Sequence, residues 1–198
     1  MLYFIARILA YIVLMPIFFV KVINKQNLRI NGGCVVICNH TSNWDPIILG
    51  HSVKKRHVCY MAKEELFHNK IINTILRHLH AIPVARGKSD LKAVKTGLSA
   101  LKSGKVLGIF PEGTRSETGE LLPFEHGAAL MAMRADVPVV IVYISADYKL
   151  FHQVKLYTHS AVNLKDIVGD KTNSATIGQA TDYLRNVMLE LKEQSCQK

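Results

Sequence analysis

The sequence predicts an α/β fold with a mostly parallel central sheet flanked by helices, preceded by an N-terminal membrane-associated helical segment. Three observations predict it. Short β-branched apolar runs alternate with stretches of helical periodicity, the pattern of a sheet buried on both faces. Polar, glycine-bearing motifs follow directly on those runs, where ligands bind in such sheets. Residues 1–23 are almost wholly apolar.

A chain of 198 residues is long enough for one domain with a sizeable core. That domain is placed at residues 28–198, behind the helical segment at 1–27. The apolar share of 49% and a mean hydropathy of +0.15 are too polar for a multi-span membrane protein. The formal charge of +10 suits a polyanionic partner, either nucleic acid or an anionic bilayer. The basic residues are scattered, with no basic–aromatic signature, which speaks against nucleic acid. Cys34, Cys38 and Cys59 lie in apolar runs, and the four cysteines match no zinc spacing. They read as reduced thiols in a reducing compartment.

Taken in order, the first element is the apolar run Ile8–Val20, bracketed by Arg7 and Lys21 and interrupted by Pro16. As a helix it covers roughly 20 Å, short of a ~30 Å hydrocarbon core. Both cations can snorkel to headgroups. A segment dipping into one leaflet is the expectation; a tilted span and a plain core helix are the alternatives. No small-residue cleavage site follows, so it does not read as a secretory signal. Asn31-Gly32-Gly33 marks a turn. Cys34–Cys38 reads as a buried strand running into Asn39-His40, and His57–Met61 as a second strand. Glu64–Leu79 carries Phe67, Ile71, Ile75 and Leu79 at helical spacing. Ile82–Ala85 is a third strand. Ser89 is the expected N-cap of a helix whose apolar face is Leu91, Val94, Leu98 and Leu101, with Gly104 closing it. Lys105–Phe110 is a strand, Glu125–Ala135 a helix, and Val137–Ala146 and Val154–Val162 are strands. The last helix covers about Ser174 to Gln194.

Two motifs at strand ends carry chemistry. In Asn39-His40-Thr41-Ser42-Asn43-Trp44-Asp45-Pro46, a turn or helix start would let His40 and Asp45 meet. A carboxylate then holds the imidazole in one tautomer and stabilises its cation. Such an imidazole can take a proton from an attacking alcohol. Asp45-Pro46 also reads as a plain helix start, and His40 as a loop histidine. In Phe110-Pro111-Glu112-Gly113-Thr114-Arg115-Ser116, Arg115 can grip a phosphate with two parallel bonds. Thr114 and Ser116 can donate hydrogen bonds, and Gly113 allows close approach. The same stretch also reads as a surface turn with a solvated arginine. Arg86 and Lys63 follow two further strands. Together these residues describe a base beside a pocket for an anion.

These residues resemble the glycerophospholipid acyltransferases, the family of bacterial 1-acylglycerol-3-phosphate acyltransferase. His40 and Asp45, four residues between them, resemble the first signature. Arg86 after Ile82-Pro83-Val84 resembles the second. Phe110–Ser116 resembles the third and Val137-Pro138-Val139-Val140 the fourth. The four occur in the family's order over roughly residues 28–146.

The resemblance implies roles. His40 deprotonates the acceptor hydroxyl, which attacks an acyl thioester directly, and Asp45 orients His40. Arg86 and Arg115 hold the acceptor's phosphate, with Lys63 as a helper. Glu112 and Gly113, with Thr114, shape the acceptor site. The expected transfer is to the sn-2 hydroxyl of 1-acylglycerol 3-phosphate, giving phosphatidate in phospholipid biosynthesis. The acyl group comes from acyl carrier protein or coenzyme A as co-substrate. No cofactor and no metal are implied. The bilayer is the expected partner, with the active site on the cytoplasmic face. Two departures touch the acceptor's identity. Many relatives carry lysine in a Phe-Lys-x-Gly stretch that here reads Phe124-Glu125-His126-Gly127. The fourth signature often continues to a second proline that is missing here. Acylation of another lysolipid or of glycerol 3-phosphate therefore stays open, as does a catalytically dead membrane-binding module.

Overall fold

The computed structural model describes residues 17–53, 56–78, 80–85 and 90–197. Seven strands form one sheet: β1 (Phe19–Ile23), β2 (Cys34–Cys38), β3 (Val58–Lys63), β4 (Ile82–Val84), β5 (Val106–Ile109), β6 (Val139–Ser145) and β7 (Gln153–Thr158). Their order is β1-β7-β6-β2-β5-β3-β4. Strands β6, β2, β5, β3 and β4 run parallel. Strand β7 is antiparallel to β6, and β1 runs parallel to β7. The expected α/β class with a mostly parallel sheet is what the chain forms.

The β-branched runs form strands because both faces of the sheet are covered. Val35 and Ile37 of β2, with Val139, Ile141 and Tyr143 of β6, point into one core. The helices α3 (Leu91–Lys102), α4 (Gly127–Ala135) and α6 (Ser174–Cys196) pack into that core. Cys34, Val36 and Cys38, with Val140, Val142 and Ile144, point into the other. There Ile48 and Leu49 of α1 (Asp45–Ser52) meet Phe18 and Leu28. Two further helices are α2 (Lys70–His78) and the short α5 (Leu164–Val168). Cys34, Cys38 and Cys59 are buried free thiols, and Cys196 is exposed.

Several boundaries differ from expectation. The expected N-terminal helical segment extends through residue 27, yet Phe19–Ile23 is strand β1 and Lys25–Leu28 a 3-10 turn. The backbone of β1 is satisfied by pairing with β7 from Phe19↔Gln153 to Ile23↔Tyr157, a sheet edge that local hydropathy does not reveal. Residues 1–16 lie outside the described residues. No helix among the described residues is long and apolar enough to cross a membrane. The stretch 64–79 is not one helix: a 3-10 turn at Glu64–His68 precedes α2, with extended Asn69 between them. Asp90, not Ser89, caps α3, accepting from the Ala93 N–H. Strand β7 ends at Thr158, and Val162 only bridges back to Val139.

Candidate active site

Because β2, β3, β4, β5 and β6 are parallel, the segments that leave their carboxyl ends share one edge of the sheet. His40 follows β2, Lys63 ends β3, and Phe110–Ser116 follows β5. Tyr148 follows β6. Arg86 follows β4 and lies outside the described residues.

His40 is placed by its neighbours rather than by its own bulk. The Asn39 side chain acts as one more rung of the β2–β6 ladder. Its Nδ2 donates to Ile144 O at 3.0 Å, and Ile144 N–H donates to its Oδ1 at 2.7 Å. The chain then turns, with Asp45 N–H donating to Ser42 O at 3.2 Å, and α1 begins at Asp45-Pro46. This turn folds the Asp45 carboxylate back over the loop that precedes it. Its Oδ2 accepts from His40 Nδ1 at 2.9 Å and from the Thr41 and Ser42 N–H groups, each at 2.7 Å. Its Oδ1 accepts from the Tyr148 hydroxyl. Asp45 is fully buried and His40 is 18% exposed. A buried carboxylate needs such donors, and here every one aims it at the imidazole. With Nδ1–H donating to Asp45, the neutral ring keeps its lone pair on Nε2. The imidazole also stacks on Phe110, ring centroids 4.2 Å apart, and Phe110 stacks in turn against Tyr60 at 6.0 Å.

Glu112 is 6% exposed and ties two loops together. Its Oε1 accepts from His40 N–H at 2.8 Å and its Oε2 from Leu122 N–H at 2.9 Å. Burial pushes its carboxyl up, and those two N–H groups oppose the shift. Ser116 N–H donates to His40 O at 2.8 Å. The main chain of His40 is therefore clamped from both sides by the motif after β5. Gly113 has φ of 67°, in the left-handed region that glycine enters without strain. Thr114 and Arg115 are exposed beside it. Arg115 Nη1 donates to Asn43 Oδ1 at 3.0 Å, which ties the guanidinium to the loop carrying His40. Ser116 is buried, and its hydroxyl has no partner among the described residues. Lys63 is exposed and pairs in the sheet with Val84, two positions before Arg86.

The structure thus brings His40, Asp45, Glu112 and Arg115 into one network. It leaves Lys63 on the rim. Asn39, Asn43, Phe110 and Tyr148 are site residues that the motif reading did not assign. Asn39 and Asn43 lie inside the first motif, so an amide at a strand end was the available signal. For Tyr148, 103 positions from Asp45, no local signal existed. The arrangement suits proton abstraction by His40 Nε2 beside a guanidinium. Cys38, two positions before His40, is no rival nucleophile: burial, then the charges of Asp45 and Glu112, push its thiol well up, which keeps it protonated and inert.

Comparisons with known proteins place the chain in a family and a fold. Over 121 residues the chain is 42% identical to the 1-acyl-sn-glycerol-3-phosphate acyltransferase of Bacillus subtilis, covering 61% of this chain and 60% of that protein. It is 30% identical over 154 residues to the chloroplastic 1-acyl-sn-glycerol-3-phosphate acyltransferase BAT2 of Brassica napus, covering 75% of this chain and 43% of that one. The matched regions thus span about half the length of these curated relatives. The crystal structure of the 1-acyl-sn-glycerophosphate acyltransferase PlsC of Thermotoga maritima shares the fold, with a TM-score of 0.70 at 24% identity over 89% of this chain and 72% of that one. The model of the acyltransferase family matches residues 19–145, which include both the His40 loop and the Arg115 loop: the chain belongs to the acyltransferase family.

Proposed function

We propose that this chain transfers a fatty acyl group from a thioester to the sn-2 hydroxyl of 1-acylglycerol 3-phosphate, giving phosphatidate in phospholipid biosynthesis. The observation that carries this reading is the 2.9 Å bond from His40 Nδ1 to a fully buried Asp45, with a guanidinium tied to the same loop. His40 Nε2 takes the hydroxyl proton as the oxygen attacks the thioester carbonyl carbon. The tetrahedral intermediate collapses, the C–S bond breaks, and the imidazolium returns the proton to the departing thiolate. Asp45 offsets the cation between those two steps. Arg115 and Arg86, with Lys63, hold the acceptor's phosphate, and Glu112, Gly113 and Thr114 shape the loop beside it. The donor is a thioester of acyl carrier protein or coenzyme A, and the bare residues supply the chemistry without cofactor or metal.

The reaction takes place at a membrane surface, with the site on the cytoplasmic side. Three features support this. The apolar run Ile8–Val20 is bracketed by cations. Leu150 and Phe151 are exposed in the β6–β7 turn, next to the end of that run, where Phe151 N–H donates to Ile17 O at 2.8 Å. The chain carries an excess of ten positive charges, which suits anionic lipid.

A second reading concerns the acceptor alone. Glu125 stands where many relatives carry lysine, and its Cγ lies 3.5 Å from where a Cβ on Gly113 would be. A carboxylate so close to the anion-binding loop favours a less anionic lysolipid. Purified protein given both donors against a panel of lysolipids, read by mass spectrometry, tests both readings. Phosphatidate as the main product supports the first. Acylation of another lysolipid but not lysophosphatidate supports the second. No acylation of any acceptor refutes both.

A further inference from the structure

The turn between β6 and β7 holds two non-glycine residues in the left-handed region, Tyr148 at φ of 54° and Phe151 at 65°. Such backbone is costly for a residue with a side chain and persists where the surroundings over-determine it. Here the surroundings do so on both sides. Phe151 N–H and the paired backbones of Phe19 and His152 tie the turn to the chain entering β1. Tyr148 points the other way, into the sheet edge. Phe18, 2% exposed, meets the Tyr148 ring edge-on at 5.7 Å and the Trp44 ring at 5.8 Å. The phenol therefore has a prepared seat between the β1 entry and the loop before α1, and its hydroxyl ends on Asp45 Oδ1.

The oxygens of Asp45 are thereby divided. Oδ2 takes His40 and two backbone N–H groups, and Oδ1 takes Tyr148. We propose that Tyr148 is a positioning residue of the reaction, setting through its hydrogen bond to Asp45 how strongly the carboxylate draws the proton of the His40 imidazole. The proposal rests on the reading of His40 as the base. It adds a residue outside all four signature motifs. Burial and the neighbouring Asp45 charge push the phenol far up, so it remains a donor throughout the working range. The charged or titratable groups facing Asp45 are His40 and Cys38 from β2 and its loop, Glu112 from the loop after β5, and Tyr148 itself. Removing the Tyr148 hydroxyl changes only the last of these. Because three donors still hold Oδ2, the carboxylate stays in place but carries more undivided negative charge toward the imidazole.

The test is the pH profile of kcat/KM for Tyr148→Phe beside wild type, with thermal melting of each and with His40→Ala as the control for the base. Phe keeps the ring against Phe18. The expected result is an acid limb moved to higher pH by about half a unit, roughly a threefold loss of free base below the limb. Activity returns at pH values above the limb, and KM changes little. Fluorotyrosine placed at position 148 keeps an O–H donor, and a stronger one, and is expected to bring the limb back to its wild-type position or slightly below it. A Tyr148→Phe profile that superimposes on wild type overturns the proposal. So does a uniform loss at every pH accompanied by a lowered melting temperature, since that is the mark of a structural brace. Wild-type activity in His40→Ala would instead overturn the reading of His40 on which the proposal stands.

Discussion

The loop after β2 and the end of β3 lie at the same edge of the sheet, yet they are built in opposite ways. In the first, the buried side chains of Asn39 and Asp45 have their partners inside the protein. Asp45 is fully buried with both oxygens taken, and the His40 main chain is clamped by Glu112 and Ser116. In the second, Lys63 stands exposed at the end of β3. Arg115, between the two regions, is exposed and tied by one bond to Asn43. The difference follows from what each region meets. A base must be aimed before the substrate arrives, because misplacing it by an ångström forfeits much of the rate. A phosphate brings its own charge and its own oxygens, so cations can wait solvated and pair on arrival. On the proposed reading, preorganisation serves the proton transfer and is withheld from the anchor.

The contrast can be broken at three depths. The largest effect is expected from His40→Ala. Its kcat should fall by at least ~10²-fold, the scale of general-base catalysis, while circular dichroism and melting stay near wild type. Wild-type turnover in a folded variant would remove the base from the account. A smaller effect is expected from Arg115→Ala. Its KM for a phosphorylated acceptor should rise about tenfold, near 1.4 kcal/mol, with kcat changed much less. If kcat collapses and KM holds, Arg115 belongs to the chemistry and the division between base and anchor is wrong. The smallest effect is expected from Asp90→Ala. Asp90 accepts from Ala85 N–H and Ala93 N–H, each at 2.9 Å, and so joins the residue after β4 to the first turn of α3. Those two N–H groups hold its carboxyl below the usual range. A depressed carboxyl stabilises the fold above its unfolded value, and the benefit is lost as pH falls through the folded one. Asp90→Ala should therefore lower the melting temperature slightly at neutral pH, with the gap closing in acid. A gap that persists unchanged in strong acid would show that the carboxylate is not what makes this joint.

Much of this was legible in the chain, for identifiable reasons. Cys34–Cys38 reads as a strand because an unbroken β-branched run suits a sheet covered on both faces. His40 and Asp45 read as a pair because the chemistry needs both, and the turn that joins them is local. What escaped depends on distant partners. Phe19–Ile23 has the composition of a membrane helix, and only its pairing with Gln153–Tyr157 makes it a strand. Leu91 falls on a helical stripe yet is 67% exposed. The buried residues of α3 are Ala93, Gly97 and Leu101, of which Leu101 belongs to the expected stripe, and Leu98 of that stripe packs half-buried against the core. Small residues are needed there because a Cβ on Gly97 would come within 2.8 Å of Met131 Sδ. Glu112, expected from its motif to shape the acceptor site, has a further role that the motif does not spell out. It serves as a brace between loops, which only the N–H groups of His40 and Leu122 reveal.

The central claim is that His40, held by Asp45, activates the acceptor hydroxyl for direct attack on the thioester. Release of free thiol from an acyl thioester, followed from the first turnover with and without lysophosphatidate, tests it most directly. The account predicts thiol release only when the acceptor is present, with no burst, and its loss in His40→Ala. A stoichiometric burst of thiol without acceptor would mean that the protein itself takes the acyl group, and would contradict the claim.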